Sequence, residues 1–132
     1  MLVYMAIDPN APVASAGFHC ALCNELAGTV ELLPPAHGQS LAQTTTIFLK
    51  DFIGTEQVVV SDQQAQGIQA ALMQTDAAAL YAVERLFAPF YCPECACIYC
   101  LKHWTVVPEY DETFFDCSYG WCPKGHKRMV ED

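Results

Sequence analysis

Apolar positions change their spacing several times along the chain, and each change marks an element. Leu2–Ile7 is apolar enough for a strand, and "DPNAPVASAG" continues it as a lead-in of small residues. The run "GTVELLPP" is a short strand stopped by Pro34-Pro35, because proline brings no amide hydrogen to a ladder. "AHGQSLAQ" is loop-like. "TTTIFLKDF" and "EQVVVS" are rich in β-branched and aromatic residues and are parted by a turn at Ile53-Gly54-Thr55. Residues 28–60 thus predict three strands of a small antiparallel sheet.

Ser61, with Gln64 three residues on, is a capping-box signature. The helix it opens places Ala65, Ile68 and Leu72 on one face. Thr75 or Asp76 can cap a second segment, with Leu80, Val83 and Phe87 inward and Pro89 as the stop. Residues 61–88 therefore predict a helical hairpin, or one kinked helix, packed on the sheet.

Composition changes the picture from Tyr91 onward. Six of the eight Cys and two of the four His fall between residues 92 and 126. The N-terminal stretch lacks the early Lys or Arg of a secretory signal, and no apolar run approaches the ~20 residues that span a bilayer. A reducing cytoplasm is the expected setting, where paired Cys serve as metal ligands more often than as disulfides. Net charge is −9, with six Lys and Arg against fifteen Asp and Glu. That excess disfavours phosphate backbones and anionic membranes alike.

The ligand-type residues run Cys20-x2-Cys23, then Cys92-x2-Cys95-x-Cys97-x2-Cys100-x2-His103, then Cys117-x4-Cys122-x3-His126. A C-x2-C turn aims two sulfurs the same way, and two such turns complete a tetrahedron around one ion. There are ligands here for two structural sites with some to spare. Zinc suits a mixed thiolate and imidazole set.

The ligand order resembles the RING finger family. "CALCNE" is similar to the opening knuckle of that family, "CACIYCLKHW" to its central block and "WCPKGHKR" to its closing knuckle. The resemblance covers about a quarter of the chain. It implies a cross-brace, with Cys20, Cys23, Cys100 and His103 on one zinc and Cys95, Cys97, Cys122 and His126 on the other. Read from the residues alone, Cys92-Pro-Glu-Cys95 is also a good knuckle. A second site of Cys92, Cys95, Cys117 or Cys122, and His126, closer to a plain treble clef, stands equally open. The chain departs from the family in the long Cys23–Cys95 segment and in the three residues between Cys122 and His126. Pro108 and "EYDE" also stand where a helix often follows the central block.

Taken together, the expectation is a single α+β domain over residues 1–132. It comprises a first knuckle at 20–23, a sheet-plus-helix insertion at 28–88 and a two-zinc RING-like or treble-clef lobe at 91–128. Its expected task is to dock a protein partner. The resemblance implies a ligase that binds a charged ubiquitin-conjugating enzyme and acts as a scaffold, forming no covalent intermediate. Leu22, Trp104 and Pro123 would meet that partner, with Arg128 or Lys127 as the cation that bridges conjugating enzyme and ubiquitin. A zinc-stapled adaptor without a ubiquitin role is the alternative. A thiol oxidoreductase at Cys92-Pro-Glu-Cys95 is weaker, because that motif does not open a helix after a strand. No H-x-E or H-E-x-x-H stands in the chain for hydrolytic zinc chemistry.

Overall fold

The computed structural model describes residues 11–35 and 44–132. The strand expected at Leu2–Ile7 lies outside them. Nine strands and two helices fill the described residues, in the order β1 (Ala14–His19), β2 (Leu26–Leu33), β3 (Thr46–Asp51), β4 (Thr55–Val59), α1 (Asp62–Met73), α2 (Ala77–Val83), β5 (Tyr91–Cys92), β6 (Cys97–Ile98), β7 (Thr105–Asp111), β8 (Phe114–Trp121) and β9 (Lys127–Glu131).

Strands β1 to β4 form an antiparallel meander in sequence order. Three of them are the strands expected over 28–60. The fourth, β1, comes from the small-residue lead-in and pairs Ala16 with Val30 and Gly17 with Thr29. Val30 and Leu32 alternate inward along β2, as a sheet with one covered face requires. Gly54, at φ 146°, makes the β3–β4 turn in a conformation that disfavours other residues.

The capping box at the start of α1 is formed in full. Ser61 Oγ accepts from the Gln64 amide at 3.1 Å, and Gln64 Oε1 accepts from the Ser61 amide at 3.0 Å. Thr75, at φ 49°, separates α1 from α2, and Asp76 caps α2 by accepting from the Ala79 amide. The expected helical stretch is therefore two helices, and the second ends at Val83, six residues short of the stop expected at Pro89. Glu84 leaves helical geometry at φ −158°, and its carboxylate caps a short 3-10 turn at Arg85–Phe87.

Ile68, Leu72 and Leu80 from the helices meet Phe18, Val30, Leu32 and Ile47 from the sheet in one buried core. Phe90 stacks on Phe18 at 5.0 Å between ring centroids and lies against Gly28, where a Cβ would come within 2.9 Å of the ring. That contact fixes the stretch leading into β5 on the sheet, so the Cys-rich segment starts from a rigid point.

Beyond β5 and β6, a two-stranded ribbon, the chain forms a three-stranded antiparallel sheet in the order β7-β8-β9. Sequence patterning does not anticipate this sheet, because residues 107–116 are exposed throughout and show no in–out alternation. Pro108 is tolerated because β7 is an edge strand. The architecture is thus mixed, with small antiparallel sheets and two helices. Among the described residues, no helix is long and apolar enough to cross a membrane.

Candidate metal centres

The first knuckle grows from the end of β1. Its backbone turns back on itself through the Asn24 amide to the Cys20 carbonyl (2.9 Å) and the Cys20 amide to the Glu25 carbonyl (2.8 Å). The Leu22 amide points at Cys20 Sγ, 3.4 Å away. Cys92-Pro-Glu-Cys95 repeats this device at the end of β5, with the Cys95 amide 3.4 Å from Cys92 Sγ. Asn24 (φ 62°) and Ala96 (φ 54°) each follow the second Cys of a knuckle and turn the chain away. Asparagine tolerates that left-handed geometry. Alanine pays roughly 1 kcal/mol for it, a cost that a shared ion readily offsets. The closing turn between β8 and β9 is held by the Gly125 amide on the Cys122 carbonyl (2.9 Å), with Gly125 at φ 89°.

These turns bring eight side chains into two sets. Cys20, Cys23, Cys100 and His103 form one, and Cys92, Cys95, Cys122 and His126 form the other. In each set all ligand atoms lie within 4.8 Å of one another. A tetrahedral zinc ion with its usual bond lengths would hold its ligands about 3.8 Å apart sulfur to sulfur and about 3.5 Å sulfur to nitrogen. Cys23 and Cys100 Sγ are 3.5 Å apart, and Cys95 and Cys122 Sγ 3.8 Å. His103 Nδ1 is 3.4 Å from both Cys20 and Cys100 Sγ. His126 Nδ1 stands 3.6, 3.2 and 3.4 Å from Cys92, Cys95 and Cys122 Sγ. All eight Cys are free thiols, and these separations far exceed the ~2.05 Å of a disulfide. The donor sets therefore fit a metal ion in spacing as well as in chemistry.

Protonation leads to the same fit. Burial works against the Cys20 thiolate, but amides of Cys100, Cys23 and Leu22 outweigh it and lower the thiol to about 6. Cys122 falls to about 7 in the same way, burial being overcome by the amides of His126 and Lys124. Cys92 rises to about 11 and Cys100 also rises, each chiefly through burial. One ion per set would allow all three sulfurs to be thiolates together.

Two ligand candidates stay outside the sets. Cys97 lies across the β5–β6 ribbon from Cys92, and the second tetrahedron is already filled by four other atoms. Cys117 is buried on β8 with its sulfur 3.8 Å from Asp116 Oδ2. Four residues of strand lie between it and Cys122, five steps or about 16 Å of rise, so it cannot reach that site. The first set has the composition the RING resemblance implies. The second has the Cys92–Cys95 knuckle of the alternative reading, with Cys122.

The partner candidates divide as well. Leu22 is 59% exposed, and Pro123 is exposed too. Trp104 is not available to a partner. It is 5% exposed, donates its indole N–H to the Tyr99 carbonyl at 2.8 Å and packs against Gly120. Arg128 is likewise committed inward. Its Nη1 donates to the carbonyls of Ala88 (2.7 Å) and Tyr91 (2.8 Å), and its Nη2 to that of Arg85 (2.9 Å). Its fork is spent on tying β9 to residues 85–91, up to the start of β5, and burial brings its pKa down to about 10. Lys127 is exposed, with its ammonium 4.1 Å from the centre of the Tyr119 ring.

Two contributors escape the sequence reading. Glu94 Oε2 stands 3.4 Å from His126 Nε2, the nitrogen facing away from the sulfurs, where a carboxylate holds the ring in its orientation as a ligand. An acidic residue inside a knuckle was the available signal. Leu101, between Cys100 and His103, is 59% exposed beside the first set.

The structure thus defines a mixed α and β chain with two Cys3His centres positioned to hold metal ions. Residues 10–132 match the family described as a domain of unknown function, DUF8328, and the chain belongs to that family. No curated protein and no solved structure matches it.

Proposed function

We propose that this chain is a zinc-stapled protein-docking module, RING-like in how two ions share its ligands, that holds a ubiquitin-charged conjugating enzyme. The observation that carries the reading is the order of the ligand pairs. The first and third pairs meet at one centre, and the second and fourth at the other. Zinc is the assigned metal because Cys3His is its usual structural donor set. Four protein ligands per centre leave no position for a water, so the ions brace loops and activate nothing. Such bracing has a use in this reading, because it fixes the exposed side chains of the knuckles. Leu22, Leu101 and Pro123 supply the apolar contacts, and Lys127 takes the bridging role that Arg128 cannot fill.

The chemistry would be that of the partner. A substrate amine attacks the thioester carbonyl, an amide bond forms, and the conjugating enzyme's cysteine leaves as a thiol. This chain contributes orientation, holding the thioester in an attack-ready pose. The test is discharge of ubiquitin from a charged conjugating enzyme onto free lysine, with the zinc-loaded chain added. Acceleration of about tenfold or more is expected, lost in Leu22→Glu and reduced in Lys127→Ala. No acceleration by protein carrying two zinc ions, across a panel of conjugating enzymes, ends the ubiquitin reading and leaves a zinc-stapled adaptor.

A further inference from the structure

The arm formed by the outer halves of β7 and β8 is unlike the rest of the surface. Residues 107–116 are exposed on both faces of a two-stranded hairpin, a unit only marginally stable by itself in water. Tyr110, Phe114 and Phe115 are 63%, 73% and 46% exposed, and no other Phe or Tyr among the described residues ranks with the exposed large hydrophobics. Tyr110 and Phe115 meet edge to face at 6.0 Å. Clustered exposed aromatics mark a contact surface, whereas singly scattered ones need no explanation.

Charge identifies what covers it. Glu109, Asp111, Glu112 and Asp116 lie among the rings, and none of the six Lys and Arg falls between residues 103 and 123. At the foot of the arm, β9 borders a cleft of about 480 Å³ carrying Asp51, Glu56, Glu84, Glu131 and Asp132, with no Lys or Arg in its lining. A second copy of this chain would set acid against acid. Pro108 takes an amide donor out of the edge strand β7, which works against an added strand.

We propose that the β7–β8 arm docks a basic segment of a partner protein. Lys and Arg side chains of that segment lie on the rings of Tyr110 and Phe115, which share one face of the arm, and reach round its edge to Phe114 beside Asp111 on the other, with their charges toward Glu109, Asp111 and Glu112. Ring faces attract cations, and the nearby carboxylates add to that attraction. The surface is separate from Leu22, Leu101 and Lys127, so the inference stands whether or not the ubiquitin reading does.

The test uses the full zinc-loaded chain and a short fluorescein-labelled peptide of alternating Lys, Arg and Leu, followed by anisotropy at near-physiological salt. A peptide with Glu in place of Lys and Arg is the control. The basic peptide should bind and the acidic one should not. The double variant Tyr110→Ser/Phe114→Ser should weaken binding about tenfold, and Asp111→Asn/Glu112→Gln by several-fold. Glu31→Gln/Asp62→Asn removes the same charge elsewhere and should leave binding unchanged. Equal losses in the two charge variants would mean attraction to the net charge alone and overturn the proposal. Unaltered binding by the ring variant overturns it too, as does sedimentation of the wild type as a dimer that the ring variant abolishes.

Discussion

Replacing Arg128 by Met keeps the apolar stem and removes the fork that joins β9 to residues 85–91, up to the start of β5. Three hydrogen bonds between these elements are lost, to the carbonyls of Arg85, Ala88 and Tyr91. Bonds from a charged donor contribute about 1.5–3 kcal/mol each. The sum is smaller than three times that, for two reasons. The carbonyls of Ala88 and Arg85 keep second donors, the amides of Tyr91 at 3.1 Å and Ala88 at 3.2 Å. Burying the guanidinium also has its own cost, visible in its lowered pKa. The expected loss is therefore about 2–4 kcal/mol, a large part of the stability of a chain this size. Arg128→Lys, with no planar fork, should recover less than half of it. Urea unfolding at fixed free zinc, followed by tryptophan fluorescence, measures both, and the metal must be held constant because it binds only the folded form. A loss below about 1 kcal/mol, the range of an exposed ion pair, would refute the clamp and return Arg128 to the candidates for partner contact.

Three further outcomes are expected. Native mass spectrometry should find two zinc ions in the wild type, one in Cys23→Ser or Cys95→Ser, and still two in Cys97→Ser or Cys117→Ser. Gly28→Ala drives a Cβ to 2.9 Å from the buried Phe90 ring and should cost about 1–3 kcal/mol, read as a lower thermal midpoint. Acid should release the metal, measured with a chromogenic chelator. The Cys20 thiol lies at about 6 in the fold against an ordinary 9.0, so its stabilising contribution is whole above pH 9 and gone once pH has fallen through 6. Ion binding lowers thiol pKa further, so release should be centred below pH 6 and be accompanied by proton uptake.

Local chemistry was the legible part of this chain. The capping box at Ser61, the Asp76 cap and the Cys20–Cys23 and Cys92–Cys95 knuckles each lie within a few residues and form as their spacing implies, whereas Cys97 and Cys100, at the same spacing, do not share a centre. The identity of the second ligand set was not legible. Cys92 and Cys97 both stand at ligand spacing from Cys95, and only the β5–β6 ribbon decides between them. β1 was hidden because its small residues carry little strand preference of their own and gain their place from register with β2. The β7–β8 arm was hidden for the opposite reason, since exposure on both faces removes the alternation by which strands are read. Trp104 and Arg128 show the limit of carrying roles across by position. Both occupy the expected places in the chain, and both point inward.

The interleaving of the two ligand sets also orders events in the life of the polypeptide. During synthesis, Cys20 and Cys23 emerge long before Cys100 and His103, so a first ion can be held tetrahedrally only after residue 103 has left the ribosome and a second only after residue 126. The stretch from Cys92 to His103 belongs to both closed loops, so loss of one ion releases it at one end only. Each ion is a latch on the fold: a product truncated before His103 would carry neither latch, and one truncated between His103 and His126 only the first.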